Sequence, residues 1–471
     1  MRLTFLGIVL LSLFACDSKS SKLTKISGQI VSPHADKIIL LQDGKTIDSV
    51  PLKKDGRFSY EFQLKEEGVF FFRHHLETQM LYLKPGDSLV FRLNTIDFDE
   101  SLTFGGDSSK ENNFLIEHFL ENEKNNNLIL SYYKIEPIDF VFKTDSIREQ
   151  RINQLKKLEA THKLTPYFKE IATKTLEVEY YDMRERFAFL MRKYFPQKAL
   201  SIDNGYYAYR DEVNFDDKSM MNHIGYLRFL DNYLKNESTK HCPILAEDME
   251  CWNLNTYDNL KRRIQLVSEL LSDESLKLRF YNRFISRELI LASTQSEIDD
   301  ALEVVENINF STEQEKYLTK LADFQRAFLV DSNIGHIDLM NIEGESVAIK
   351  DISVDKPMLI YVWSTSSPNF YAKRFEQINK LKLSFPEIEY VGINIDYMQP
   401  KVWGKVLKNN PEMLGNQFQI IGQDTHKELY ANYLNKLLFL TPDGTIKKGE
   451  LMLNNINAET LIAEFITSFN K

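Results

Sequence analysis

Met358-Leu359-Ile360-Tyr361-Val362 is an unbroken apolar run of strand length, and it constrains the fold of this chain more than any other segment. A strand with one wet face alternates polar and apolar residues. A run with no polar residue needs cover on both faces, as in a parallel sheet flanked by helices. The neighbouring sequence supplies that cover. Residues 369–383 carry Phe370, Phe375, Ile378 and Leu381, the last three at three-residue spacing, which predicts a helix. Next come a strand pattern over 388–395, a helix around 402–407 and the strand Phe418-Gln419-Ile420-Ile421. Leu437-Leu438-Phe439-Leu440, the turn Thr441-Pro442-Asp443-Gly444, a further strand and a helix over 458–469 follow. Upstream, residues 337–341 and 346–349, joined by Glu343-Gly344-Glu345, read as a hairpin. The pattern predicts an α/β unit over 331–471.

The run is followed by Trp363-Ser364-Thr365-Ser366-Ser367-Pro368-Asn369-Phe370. This segment and the element order resemble the thioredoxin-like (TlpA-like) envelope disulfide reductases, over about the last third of the chain. In that family the strand ends in Trp-Ala/Ser-Thr-Trp-Cys-x-Pro-Cys. Register set by Trp363 and Thr365 puts Ser367 at the first cysteine and Phe370 at the second. Thiol exchange needs a thiolate, whereas a serine hydroxyl stays protonated and forms no mixed disulfide. Ser367-Pro368 also reads simply as a helix start, with serine at the N-cap and proline at the first helical position. The resemblance further implies a cis-proline opposite the cysteines, and counting back from Asp443-Gly444 puts Asn435 or Lys436 there. A cis bond before a non-proline residue costs about 2.5 to 4 kcal/mol, so a trans backbone is expected.

From these departures the C-terminal unit is expected to be no enzyme, without catalytic residues, cofactor or metal. It would serve as a redox-inactive binding or assembly module, holding a peptide between the helix start and the 435 loop. Two alternatives stand beside that reading. The resemblance taken alone implies a thiol-disulfide oxidoreductase, and the helical region described below suits an accessory subunit of an outer-membrane uptake or assembly complex.

The opposite end of the chain bears on location. Met1-Arg2 precedes the apolar stretch 3–15, too short to span a bilayer and the length of a signal-peptide core. It ends in Leu13-Phe14-Ala15-Cys16, which resembles the lipobox of bacterial lipoproteins, so residues 1–15 read as a signal peptide and 16–24 as a lipidated cysteine and polar tether. At about 0.8 kcal/mol per buried methylene, two or more acyl chains on Cys16 anchor stably where one does not. The expected location is the cell envelope, at the outer membrane facing the periplasm. The expected partners are the membrane, through the lipid, and an envelope protein or peptide. A formal net charge of −10 argues against nucleic acid.

The 471 residues hold material for about three cores. Short strand patterns separated by Asp43-Gly44, Asp55-Gly56 and Pro85-Gly86-Asp87 turns predict a small antiparallel sandwich or barrel over 25–107. This stretch resembles the β-rich domain of unknown function that precedes thioredoxin-like domains in envelope lipoproteins. His74-His75 there makes a poor metal site, because adjacent strand residues face opposite sides. Residues 108–330 read as helical: Thr165-Pro166 starts a run in which Ala172, Leu176, Tyr180, Met183, Phe187, Leu190 and Tyr194 recur at three or four residues until Pro196. The whole is a multidomain chain, all-β, then all-α, then α/β thioredoxin-like.

Cys242 and Cys251 are the cysteines left once Cys16 is lipidated. In an oxidising compartment the main reading is a structural disulfide, stabilising by on the order of 2 to 3 kcal/mol. Free thiols, a metal site with His241, or a relocated redox pair are the other readings.

Overall fold

The structure is a computed structural model that describes residues 23–471, except 76, 133–134, 246–249, 366–367, 397–399, 412–414, 422–426, 454–457 and 470–471. The proposed signal peptide and Cys16 therefore lie outside the described residues. No described helix is long and apolar enough to cross a membrane.

The first strands are β1 Thr24–Val31, β2 Lys37–Gln42, β3 Lys45–Pro51, β4 Arg57–Phe62, β5 Gly68–His74, β6 Glu77–Leu83, β7 Ser88–Asn94 and β8 Thr103–Gly106. They form two four-stranded sheets, β4-β1-β7-β8 and β3-β2-β5-β6. Period-2 alternation turns Phe70 and Phe72 of β5 and Leu89, Phe91 and Leu93 of β7 inward, where they meet Ile26, Ile30, Ile38 and Leu40 in one core. The rings of Phe72 and Phe91 lie 4.6 Å apart across it. The antiparallel expectation fails at one ladder, because β1 pairs with β7 in parallel. Four of the strands between them run through the other sheet or its edge, so the chain can re-enter beside β1 in the same direction. Gly28 permits that close pairing, since a Cβ there would sit 1.9 Å from the carbonyl oxygen of Phe91.

Helices follow: α1 Ser109–Tyr132, α2 Pro137–Thr161, α3 Pro166–Tyr194, α4 Pro196–Ala199, α5 Ile224–Ser238, α6 Tyr257–Leu270, α7 Glu274–Leu291, α8 Gln295–Glu306 and α9 Thr312–Arg326. α3 begins where the sequence places it, with the Thr165 hydroxyl accepting from the Phe168 amide at 3.1 Å. Its apolar stripe Ala172, Leu176, Tyr180, Met183 and Phe187 is buried. Helices surround it so fully that charged residues are buried as well, each paired: Glu179 with Arg151 at 3.0 Å, Asp182 with Arg228 at 2.6 Å, and Glu185 with Arg210 at 2.7 Å. Pairing is what makes such burial tolerable, since removing either partner strands a charge.

The last part contains β9 Asp338–Met340, β10 Ser346–Ala348, β11 Met358–Trp363, α10 Pro368–Ser384, β12 Glu389–Asn394, α11 Pro400–Asn409, β13 Gln417–Ile420, α12 Lys427–Ala431, β14 Lys436–Leu440, β15 Ile446–Met452 and α13 Ala458–Phe469. The sheet order is β10-β9-β13-β12-β11-β14-β15, with β11 parallel to β12 and antiparallel to β14. Every residue of β11 is buried. Leu359, Tyr361 and Trp363 pack with Phe375, Ile378, Trp403 and Ile462 from α10, α11 and α13. Met358, Ile360 and Val362 face the opposite way, into a core continuous with that of the helical region.

Candidate functional site

Two places carry chemistry suggested by the sequence, and the first is the C-terminal tip of β11. The Trp363 indole N–H donates to Gln417 Oε1 at 3.1 Å, fixing the strand end. Asp396, 2% exposed, then gathers the loop: the Ser364 hydroxyl donates to Oδ1 at 2.9 Å, and the Thr365 amide and hydroxyl donate to Oδ2 at 2.6 and 2.8 Å. Asn394 Nδ2 adds a donor to Oδ2 at 3.2 Å. Both described hydroxyls at this tip are committed to one carboxylate. Ser367 lies outside the described residues, and Phe370 falls in the first turn of α10 with its side chain likewise outside them.

Asn435 is exposed, and its Oδ1 accepts from Arg374 Nη2 at 2.7 Å. Arg374 also donates from Nη1 to the Val362 carbonyl at 2.8 Å, so this buried guanidinium ties α10, the end of β11 and the 435 loop together. Burial lowers its pKa to about 10. No cis peptide bond occurs among the described residues. Lys436, the other position aligned with the proline, is buried, and its ammonium donates to the Ile290 carbonyl and to Gln325 Oε1 at 3.2 Å. Neither Arg374 nor Asp396 stands out in the sequence, because their partners are distant along the chain.

The second place is the Cys242–Cys251 disulfide, with Cα atoms 5.8 Å apart. Cys242 is 3% exposed in a small cluster with Phe189 of α3 and Trp252, whereas Cys251 is partly exposed. His241 Nε2 stands 3.5 Å from the Cys251 sulfur and 3.9 Å from that of Cys242. Asn259 Nδ2 donates to the Cys251 carbonyl at 3.1 Å and the Trp252 indole to the Pro243 carbonyl at 3.2 Å, holding both arms of the loop. The Arg192 guanidinium lies 5.0 Å from the Trp252 ring centre and donates to the Lys240 carbonyl at 3.4 Å. α3 thus sets a cation against Trp252 and Lys240, residues that flank the pair in sequence. The His241, Cys242 and Cys251 ligand atoms lie within 4.8 Å of one another. While the sulfurs are bonded to each other neither is a thiolate, the form that holds a metal.

The strand argument reaches only His74, because β5 ends there and His75 follows in a turn with a φ of 58°. The buried His74 ring bridges backbone, Nε2 accepting from the His34 amide and Nδ1 lying against the Lys37 carbonyl, both at 3.0 Å. Burial lowers its pKa.

No protein-family model matches the chain, and no curated protein does. Among solved structures it is similar to the thioredoxin domain of a thiol-disulfide oxidoreductase from Bacteroides vulgatus, at 19% identity and a TM-score of 0.24, over 29% of this chain and 97% of that one. A thiol:disulfide interchange protein from a Bacteroides species matches at 19% identity and 0.24, over 29% of this chain and 90% of that one. A thioredoxin-like protein from Porphyromonas gingivalis matches at 16% identity and 0.24, over 28% and 88%. These neighbours are thioredoxin-like domains and span less than a third of the chain.

They correct one expectation. Ser367 and Phe370 led to a chain that is no enzyme, yet neighbours are named for thiol-disulfide oxidoreduction. The physical reason the inference failed is its scope: losing two cysteines from one helix start removes that site only, and a second cysteine pair remains in the chain.

Proposed function

We propose that this chain is a thiol-disulfide exchange protein of the cell envelope, with Cys242 and Cys251 as the exchanging pair. The observation that carries the reading is the asymmetry of the disulfide: Cys251 is partly exposed beside His241, and Cys242 is buried behind it. The reaction class is the one for which the thioredoxin-like neighbours are named; the cysteine geometry carries it to this chain. A thiolate of a substrate dithiol attacks Cys251 Sγ, the S–S bond breaks, and its electron pair leaves on Cys242 Sγ. The His241 ring, its Nε2 3.9 Å from Cys242 Sγ, is the polar side chain placed to donate to that developing charge. The second substrate thiolate attacks the substrate sulfur of the mixed disulfide and releases Cys251. The substrate dithiol becomes a disulfide and the Cys242–Cys251 pair becomes two thiols, so two electrons and two protons change hands.

On this reading the partner is a protein or peptide dithiol in the envelope, and acylated Cys16 holds the enzyme at the outer membrane, facing the periplasm. Cys16→Ser should release the protein from the membrane fraction.

The deciding measurement is oxidation of a model dithiol peptide by the purified protein with its disulfide intact. Cys242→Ser and Cys251→Ser should each abolish turnover, and Cys242→Ser, offered the peptide in its disulfide form, should trap a mixed disulfide on Cys251, one substrate sulfur leaving as a thiol. His241→Ala should slow exchange without changing the fold. Turnover that survives both cysteine substitutions, or a disulfide inert to small thiols in the folded protein, overturns the assignment.

A further inference from the structure

A cavity of about 580 Å³ opens between the N-terminal sheets and the helices, within the size range of small-molecule sites. One wall is apolar, built from Phe71 and Met80 of β5 and β6 and from Ile116 and Phe119 of α1. The remaining lining is polar and biased to positive charge. Arg73 and Arg279 reach the cavity, and neither forms an ion pair with any described residue. Arg228 also lines it and uses its Nε on Asp182 at 2.6 Å. The carboxylate in the lining, Glu179, is engaged with Arg151 at 3.0 Å.

Two further features face the same space. The 15-residue helix α5 starts there, with His223, Ile224 and Gly225 in the lining; the His223 ring caps the Tyr226 amide at 3.3 Å, which leaves the Ile224 and Gly225 amides and the positive end of the helix at the cavity. Asn122 of α1 lines the cavity at 4% exposure, and its side chain makes no hydrogen bond to any described residue. A buried amide in that position calls for a partner from outside the protein.

We propose that this cavity binds a small amphipathic carboxylate, its apolar body against Phe71, Met80, Ile116 and Phe119 and its charge among Arg73, Arg279, Asn122 and the start of α5. Guanidinium forks match a carboxylate, and an apolar wall favours a ligand with a hydrocarbon body over a compact, strongly hydrated inorganic anion. The site is separate from the cysteine pair, so it stands or falls independently of the exchange reaction.

Decanoate is a suitable probe, titrated calorimetrically into the full chain, with decanol and inorganic phosphate as comparators. One saturable site is expected for decanoate, with each comparator bound at least about tenfold more weakly. Arg279→Gln should weaken decanoate by about tenfold and leave decanol unchanged, and Asn122→Leu should weaken decanoate as well. Arg279 is exposed, so its replacement leaves the fold intact and thermal melts verify that. Decanol binding as tightly as decanoate, phosphate binding as tightly, no saturable heat, or an Arg279→Gln protein of unchanged affinity would each overturn the proposal.

Discussion

Glu288 is a buried carboxyl on α7 whose Oε2 has no hydrogen-bond partner among the described residues, and burial raises its pKa to about 7 against the opposing pull of Arg263. Glu179 is raised to about 7 for the same reason, with Arg151 and Arg228 pulling the other way. An unfolded glutamate titrates near 4.5, so between that value and about 7 the folded chain keeps a proton that the unfolded chain has lost. The stabilisation is fully present below the lower value and is lost as pH rises through the upper one. Glu288→Gln should therefore be more stable than the parent protein at about pH 8, with the advantage vanishing near about pH 5. Urea midpoints at the two pH values measure it, and an advantage equally large at both would mean that ionisation of Glu288 is not the cause. At this scale the sequence shows which residue types are present but not what they meet. The cysteine pair and the substituted Ser367 and Phe370 positions are legible because they are counts and spacings. Asp396, Arg374 and Arg192 are not, because each acts through contacts set by the tertiary fold.

Thr165 shows what an element owes to one residue. Besides capping α3, its hydroxyl donates to Glu67 Oε2 at 2.5 Å, and Glu67 also accepts from the Tyr82 hydroxyl, so the cap joins α3 to the N-terminal sheets. Thr165→Ala should cost about 1 to 2 kcal/mol, while Thr165→Ser should recover most of it. Chemical denaturation of the two variants checks this, and an alanine variant as stable as the serine variant would show that the cap carries no net energy. Such caps explain why α3, α6, α7, α8 and α9 can be read from the sequence. Thr165, Thr256, Asp273, Thr294 and Ser311 each accept from a first-turn amide ahead of a run with helical period. α1 is harder to read because Asn125-Asn126-Asn127 dilutes its pattern with poor helix formers, and α5 because its cap is His223. β3 escapes pattern reading because all but one of its residues are exposed or nearly so, leaving no alternation. The parallel register of β1 on β7 depends on a choice of partner more than fifty residues away, which no local pattern encodes.

Across the whole molecule, the apolar interior ignores the boundary that composition suggests near residue 330. One buried cluster runs from Ile171 of α3 through Leu289 of α7 and Leu321 of α9 to Met358, Ile360, Leu438 and Ile446 of the C-terminal sheet. Phe324 and Phe328 pack against Tyr433 at 5.4 and 5.3 Å between ring centres. Lys436 reinforces the join by donating to the Ile290 carbonyl at the end of α7, a bond whose loss would strand a buried carbonyl at about 1 to 3 kcal/mol. The alternation along β11 explains the arrangement. Its odd-numbered residues are covered by helices of the same unit, and its even-numbered residues join residues such as Leu339 and Tyr433 of that unit in the cluster that continues into the helical region. A fragment of residues 331–471 should therefore expose Tyr433, Leu438 and Ile446, bind a hydrophobic dye and melt well below a fragment of residues 108–471. In the longer fragment the two regions should unfold in a single calorimetric transition, because neither completes its core alone. If the short fragment proves monomeric, dye-silent and as heat-resistant as the long one, the shared core contributes little and the C-terminal sheet is self-sufficient. Lys436→Met separates the polar from the apolar part of that join: it removes the bond to Ile290 while keeping side-chain volume, so its melting temperature should fall in the long fragment and stay unchanged in the short one.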